Sequence, residues 1–387
     1  MDHILRIAGV VLSLPWLFDA AIRRRLARAS AAAAESIGPG TPTTPRWLVL
    51  IPSRAEGAAV LDTLVSVEAA SAHGPVATVV LVDGSDPETE RLAKPLSTHV
   101  VVKEPAGPTK GVALRWFVEH HPELLEATDA VLVLDVGSRI DPAFFDRVDW
   151  SDDSRAFQAR LRGVGGGVGS TASLSERMAQ EWQDRGRQAL GWTVHLRGTG
   201  MALAPDLLRS IAPRLWTSVE DTEATLLLAA EGIPVRLAPA GATVEDVKPS
   251  RVNDAARQRS RWLVGKLSLL AHQPRSLARL FLRRPIEGLA FTCELLSRPY
   301  SLTFAARTVL AAGFLADGLL MDGGVVGIAV AVVLVGSLIS DLALLRRATD
   351  AGWRSLAVAA LQMITAWLRA IVLLPYALLG WARARRR

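Results

Sequence analysis

Four groups of residues in this 387-residue chain could do chemistry: Asp83, Asp135, the pair Glu220-Asp221, and Gln258-x-x-Arg261-Trp262. On a helix Gln258, Arg261 and Trp262 fall at i, i+3 and i+4, so an amide, a guanidinium and an indole share one face. Such a face is a flat stacking surface beside a fixed cation, which suits a bound diphosphate and its leaving group. An acid such as Asp221 can take the proton of an attacking hydroxyl. The charge that develops on a departing diphosphate calls for an arginine and a divalent cation, magnesium or manganese, on oxygen ligands. Together these residues describe a group transfer from a diphosphate ester.

Those side chains need a scaffold, and a βα rhythm supplies one from Trp47 onward. Trp47 to Ile51, Val76 to Val82, Val100 to Lys103 and Ala130 to Leu134 are predicted strands, with helices over Ala58 to Ala70 and Gly111 to His120. Uninterrupted Val/Leu runs alternating with helices predict an α/β fold with a mostly parallel, Rossmann-like sheet covered on both faces. Ligands of such sheets bind beyond the carboxyl ends of the strands, where Asp83 and Asp135 stand. After Asp135 the rhythm weakens. Gly163 to Gly169 superficially resembles a phosphate loop, but without strand–Gly–helix order it reads as a mobile loop. Arg197-Gly198-Thr199-Gly200-Met201 begins another compact stretch, and a helix follows from about Asp221 to Glu231.

The ends of the chain differ from its middle. Half of the residues are apolar, and the excess lies outside about 45 to 270. An apolar run from Ile4 to Ile22, interrupted by Pro15 and Asp19, lacks a basic n-region and reads as an uncleaved anchor or an interfacial helix. Ala29 to Pro45 reads as a linker. Residues 274 to 300 mix Arg with Leu and Phe, as an interfacial amphipathic helix does. Three apolar segments follow, about Leu302 to Leu320, Gly323 to Leu345 and Leu356 to Trp381, each long enough to span a bilayer. The formal charge is +6, from 44 basic and 38 acidic residues. Its basic clusters (Arg23 to Arg25, Arg283-Arg284, Arg346-Arg347, Arg383 to Arg387) abut apolar runs and lack interleaved aromatics. They therefore fit lipid headgroups and cytoplasmic loops rather than nucleic acid. The topology does not close neatly, because three crossings from a cytoplasmic domain leave Arg383 to Arg387 outside. Arg369 inside the last segment would cost about 2.5 to 3.5 kcal/mol, so that segment reads as a broken or re-entrant pair as readily as one span. The single cysteine, Cys293, excludes a disulfide framework and reads as a small packing side chain.

Taken in order, Asp83, Asp135, Glu220-Asp221 and Gln258-x-x-Arg261-Trp262 resemble the family-two glycosyltransferases of the inverting GT-A type. The membrane branch includes cellulose, chitin and hyaluronan synthases and ceramide glucosyltransferase. The resemblance covers roughly residues 47 to 266 and implies roles residue by residue. Pro52, Glu56 and Asp83 match positions that hold the nucleotide base and ribose. Asp135 matches the first carboxylate of the D-x-D motif, which meets the metal and the diphosphate, and Lys110-Gly111 matches the K-G pair. Gly198, Thr199 and Gly200 match the segment lining the acceptor side. Asp221, beside Glu220, matches the acid of the T-E-D motif, the general base. Gln258, Arg261 and Trp262 match the donor-binding Q-x-x-R-W. The organisation implied is a membrane anchor (1–25), a linker (26–45), a GT-A domain (46–270), interfacial helices (271–300) and a transmembrane region (301–387), with the catalytic domain cytoplasmic. The donor implied is a nucleotide-diphosphate sugar, a UDP-hexose or UDP-N-acetylhexosamine, and the acceptor a lipid or glycan at the membrane.

One departure stands out. The D-x-D motif reads Asp135-Val136-Gly137, so its second carboxylate is missing, and a metal would depend on Asp135, the diphosphate and water. Ceramide glucosyltransferase has a similar D-x-G with an arginine two residues on, where Arg139 stands, and this favours a glycolipid acceptor. A processive polysaccharide synthase and a catalytically inactive membrane assembly subunit stand as alternatives. The residues also have plain structural readings. Ser218-x-x-Asp221 is a helix N-cap pattern, Asp86-Pro87 a helix start, and Asp83 and Asp135 turn residues at strand ends. Trp262 could be an interfacial anchor, and His195, with no second histidine to pair with it, a packing or acceptor-side residue rather than a metal ligand.

Overall fold

The computed structural model describes residues 3–33, 45–71, 76–148, 150, 155–165, 168–249, 251–297, 300–320 and 324–349, with scattered positions beyond 350. A long helix, α1 (His3–Ala32), precedes the βα run β1 (Trp47–Ser53), α2 (Val60–Ala70), β2 (Val76–Asp83), α3 (Pro87–Ala93), β3 (His99–Lys103), α4 (Lys110–His120), α5 (Pro122–Glu126) and β4 (Ala130–Val133). The middle of the chain forms β5 (Arg139–Ile140), α6 (Phe144–Arg147), β6 (Ala156–Gln158), β7 (Arg160–Val164), α7 (Val168–Met178), a π-helical turn (Ala179–Asp184) and α8 (Arg185–Ala189). Then come β8 (Met201–Leu203), α9 (Pro205–Ile211), α10 (Glu220–Glu231), β9 (Arg236–Leu237) and β10 (Thr243–Val247). Helices α11 (Val252–His272), α12 (Pro274–Arg283), α13 (Pro285–Ser297), α14 (Tyr300–Leu320) and α15 (Gly324–Thr349) follow.

Seven strands form the main sheet in the order β3-β2-β1-β4-β8-β6-β9. The first four are mutually parallel, and β8 runs antiparallel to both β4 and β6. Leu48, Val49, Leu50 and Ile51 are each no more than 1% exposed, as an apolar strand covered on both faces requires. Pro52 sits in this central strand without breaking a ladder, because pairing of β1 with β4 ends at Leu50 and Val133. A second sheet, β5-β10-β7, closes one end.

The stretch expected to be a mobile loop is a correction. Gly163 lies within β7, paired in parallel with Asp246 of β10, and α7 begins at Val168. Strand–Gly–helix order is therefore present, although glycines carry no side-chain periodicity to announce it. The linker expectation also shifts, since α1 runs on through Ala32; residues 34–44 lie outside the described ones. The amphipathic stretch 274–300 is two helices, broken at Arg284-Pro285 where proline sets a new N-terminus. Of these, α13 turns its acids inward, with Glu287 1% and Glu294 5% exposed.

At the other end, α1, α14 and α15 pack together. A Cβ on Gly9 would sit 2.9 Å from the Phe314 ring, so α1 lies close on α14. Fourteen residues further along α1, Arg23 binds Asp19 and Asp341, and Arg307 binds Asp341 (2.5 Å) and Ser337 (3.1 Å). Two arginines and two aspartates thus form a neutral cluster joining three helices. Among the described residues one stretch, Gly324–Leu344, is long and apolar enough to cross a membrane. The expected third segment lies mostly outside the described residues, but its Arg369 donates to Asn253 Oδ1 on α11 (3.2 Å) and so has a polar partner.

Breaking a buried ion cluster by removing one partner is costly, whereas removing a whole pair is often tolerated. Asp341→Leu should therefore destabilise the full-length protein by about 3 kcal/mol or more, with partial recovery in Arg307→Leu/Asp341→Leu. Thermal melts in detergent read this, and a single variant that melts like the parent would rule out a load on the cluster.

Candidate active site

The site forms where the carboxyl ends of β2, β1 and β4 meet the N-termini of α4 and α10. Thr109 caps α4 through Val112 N–H (3.3 Å), which places Lys110 in its first turn. Gly111 follows because a Cβ there would lie 2.9 Å from Leu215 Cβ and 3.4 Å from Glu220 Cβ. The missing side chain lets α4 close on the segment before α10. Lys110 Nζ consequently donates to Asp135 Oδ1 (2.5 Å) and to the Gly198 carbonyl (2.5 Å), and lies 3.8 Å from Glu220 Oε1.

Asp135 is set by the same segment. Its backbone N–H donates to Thr199 Oγ1 (3.1 Å), whose hydroxyl also pairs with Ser138 Oγ (2.9 Å). Gly198 (φ +80°) and Gly200 (φ +66°) take left-handed backbone that favours glycine. A Cβ on Gly198 would stand 3.7 Å from both Asp135 Oδ2 and Asp221 Oδ2, so the two carboxylates face one space. Gly137 (φ +86°) is also left-handed, with its N–H on Thr63 Oγ1 (2.8 Å) and open space at its Cβ position. Arg139 points elsewhere, binding Asp62 on α2 (2.6 Å) at the surface.

At the end of β2, Asp83 is buried and internally satisfied: Oδ1 accepts Gly107 N–H (2.7 Å) and meets Lys103 Nζ (3.1 Å). It thereby shapes the 104–107 loop, which Arg54 also holds through the Gly107 carbonyl (2.6 Å). Sequence reading missed Ser53, Arg54 and Lys103. Ser53 Oγ is buried with no hydrogen-bond partner among the described residues, and Ala55 two positions on has φ +55°. An orphaned hydroxyl beside strained backbone at a strand end is a mark of a ligand site. Asp86 does start a helix, capping α3 by accepting Thr89 N–H (3.1 Å).

Ser218 does not cap α10. Val219 occupies that position, and Ser218 Oγ instead donates to the Arg261 carbonyl (3.2 Å). Helix α11 comes this close through Gly265, whose Cβ would stand 2.7 Å from Ser218 Oγ. Buried Glu223 fixes the same segment: Oε2 accepts the Trp216 and Thr217 N–H groups (2.9 Å each), and Oε1 accepts Gln273 Nε2 (2.9 Å). Thus α11 is docked beside Glu220 and Asp221 by backbone. Gln258 is half-buried while Arg261 and Trp262 are exposed, and no hydrogen bond or ion pair among the described residues joins these side chains to the Lys110 cluster. His195 is buried and pairs with Glu294 (2.5 Å).

The family model for glycosyltransferase like family 2 matches residues 45–265, more than half of the chain. No curated protein matches in sequence. Among solved structures, the fold is similar to that of the mannosyltransferase PcManGT from Pyrobaculum calidifontis, in complex with GDP-Man and Mn2+. The TM-score is 0.53 at 15% identity, over 87% of this chain and 98% of that one. Glucosyl-3-phosphoglycerate synthase from Mycobacterium tuberculosis matches with TM-score 0.38 at 19% identity, over 64% of this chain and 82% of that one. S. aureus TarS (residues 1–349) matches with TM-score 0.37 at 15% identity, over 79% and 90%.

Negative charge dominates the cluster. Burial pushes Glu220 up to about 7, against the pull of Lys110 and with the push of Asp221 and Asp135. Burial also raises Asp221, opposed by its bonds from Thr222 and by Lys110. Burial alone would depress Lys110, but the Asp135, Glu220 and Asp221 charges hold it above its ordinary value. Glu56 is raised by burial and by the Asp135 and Asp86 charges. A carboxyl raised on folding binds more protons folded than unfolded, so its ionisation penalty is absent at low pH and grows as pH rises toward about 7. The melting temperature of Glu220→Gln relative to the parent should therefore climb from pH 5 to about 7 and level off above it. A difference independent of pH would show that Glu220 ionises freely.

Proposed function

The chain belongs to the glycosyltransferase-like family 2, and from that membership we propose that it is an inverting transferase moving a sugar from a nucleotide-diphosphate donor to a membrane-held lipid acceptor. The observation that carries this reading is the meeting of Lys110, Asp135, Glu220 and Asp221 around Gly198, where one ammonium and three carboxylates face a common space. Ser53, Asp83 and the 104–107 loop at the ends of β1, β2 and β3 take the base and ribose. Lys110 lies within reach of the diphosphate. Asp221 accepts the proton of the acceptor hydroxyl, and its burial makes it a stronger base than an exposed aspartate. Arg261, free of ion-pair partners among the described residues, turns its charge to the leaving diphosphate when donor binds.

A divalent cation fits at Asp135, whose side chain is 48% exposed and the half of the D-x-D pair that is present. Among the described residues no set of three or more His, Cys, Asp or Glu side chains is grouped for a metal, so Asp135 would hold it together with the donor's diphosphate oxygens. Bound there, it would neutralise charge on the leaving group.

The membrane reading has its own support. Among the described residues one apolar helix is long enough to cross, α1 and α14 pack beside it, and Arg346 and Arg347 flank its end. With the catalytic domain cytoplasmic, the site would face an acceptor anchored in the same leaflet. An inactive assembly subunit is disfavoured by the intact Lys110–Asp135 pair and the raised Glu220 and Asp221.

Purified full-length protein with Mn2+ should transfer from one of a set of UDP-hexoses, UDP-N-acetylhexosamines or GDP-mannose into a membrane lipid extract, as a product of single-sugar length. Asp221→Asn should cut kcat by at least a thousandfold, and Arg261→Ala by about a hundredfold at saturating metal, the scale lost with a group that stabilises transition-state charge. Neither turnover nor nucleotide binding with any donor would overturn the assignment, and a ladder of products would favour a polymerase instead.

A further inference from the structure

The acceptor-side segment is held from two directions, and both holds lead to the N-terminal helix. Residues 193 to 196 run extended, with Val194 and Leu196 buried in the core and Thr193 and His195 turned to α13. There Glu287 Oε1 accepts Thr193 N–H (2.7 Å), and Glu294 takes His195 Nε2 (2.5 Å) and Arg187 NH2 (2.8 Å). On the other side Arg197 is gripped by Asp184 of the π-helical turn (2.5 Å) and by Glu176 (3.1 Å). The next two residues are Gly198 and Thr199, which hold Lys110 and Asp135.

The last third of α1 touches both supports. Ile22 and Leu26 pack on Ala290 and Cys293 of α13. Ser30 Oγ donates to the Glu181 carbonyl in the π-helical turn (2.6 Å). Between them the α1 backbone meets α8 at Gly186, where a Cβ would stand 2.2 Å from the Leu26 carbonyl oxygen. Ten residues before Gly186, at Glu176, and in the turn itself, at Asp184, acids point at Arg197, so α7, the turn and α8 act as one strut.

We propose that residues 22 to 30 of α1 form part of the catalytic scaffold rather than a tether: they clamp the π-helical strut and α13, and through Arg197 and His195 these position Gly198 and Thr199 against Lys110 and Asp135. Arg197 and His195 are then positioning residues. The inference rests on the reading of Lys110 and Asp135 as donor-site residues.

Gly186→Ala tests the clamp with little else disturbed. It removes no hydrogen bond, favours the helix locally, and leaves the Asp19–Arg23–Arg307–Asp341 cluster intact. In the full chain, kcat should fall about tenfold to a hundredfold, the scale of a small misplacement of reacting groups. Affinity for the donor's nucleoside diphosphate should stay within about threefold, because the strand ends that bind the base are untouched. Should that variant not fold, His195→Leu should give the same split, with most of the rate restored in His195→Gln, which keeps a donor for Glu294. Parental kcat in Gly186→Ala, or nucleotide binding lost in step with kcat, would overturn the clamp while leaving the transferase reading standing. A parent that neither binds nucleotide nor transfers would sink both.

Discussion

One half-buried ammonium organises the site. Asp135 and Asp221 face one space beside Gly198 with Glu220 close by, and like charges gathered in such a site repel one another. Lys110 makes the convergence tolerable, through its bond to Asp135 and its 3.8 Å approach to Glu220. Its position is in turn a packing result. The helix dipole disfavours a lysine in the first turn of α4, and the facing carboxylates offset this. Gly111 permits that approach, since any side chain would collide with Leu215. The Lys-Gly pair is therefore one device, a cation and the clearance that delivers it.

Much of this was legible in the sequence, and for a physical reason. Strands buried on both faces must be apolar throughout, so β1, β2 and β4 announce themselves, and the acids at their carboxyl ends stand out by contrast. Charged side chains at element ends are also readable, which is why Asp135, Glu220 and Asp221 stand out in the sequence before the fold brings them together. Asp83 stands out in the same way, and its partners are Lys103 and the Gly107 N–H, so it builds the loop.

What stayed hidden involves partners far apart in the chain. His195 meets Glu294, Arg23 meets Asp341 and Glu223 meets Gln273, and no periodicity links such positions. Backbone approaches are hidden for a related reason. Gly186 and Gly265 look like ordinary helix glycines until the opposing strand of chain is known. The stretch Gly163 to Gly169 failed in the opposite direction, because a strand paired by backbone needs no apolar pattern to form.

Gly137 lies two residues beyond Asp135, with its N–H on Thr63 of α2. With φ +86°, that position would strain most side chains, and no carboxylate stands there. Asp135 then has to be oriented by something else, and Thr199 and Lys110 supply it from the backbone and side-chain directions. Both depend on the 197–200 segment, which in turn is braced by Arg197 and His195 against helices that α1 touches.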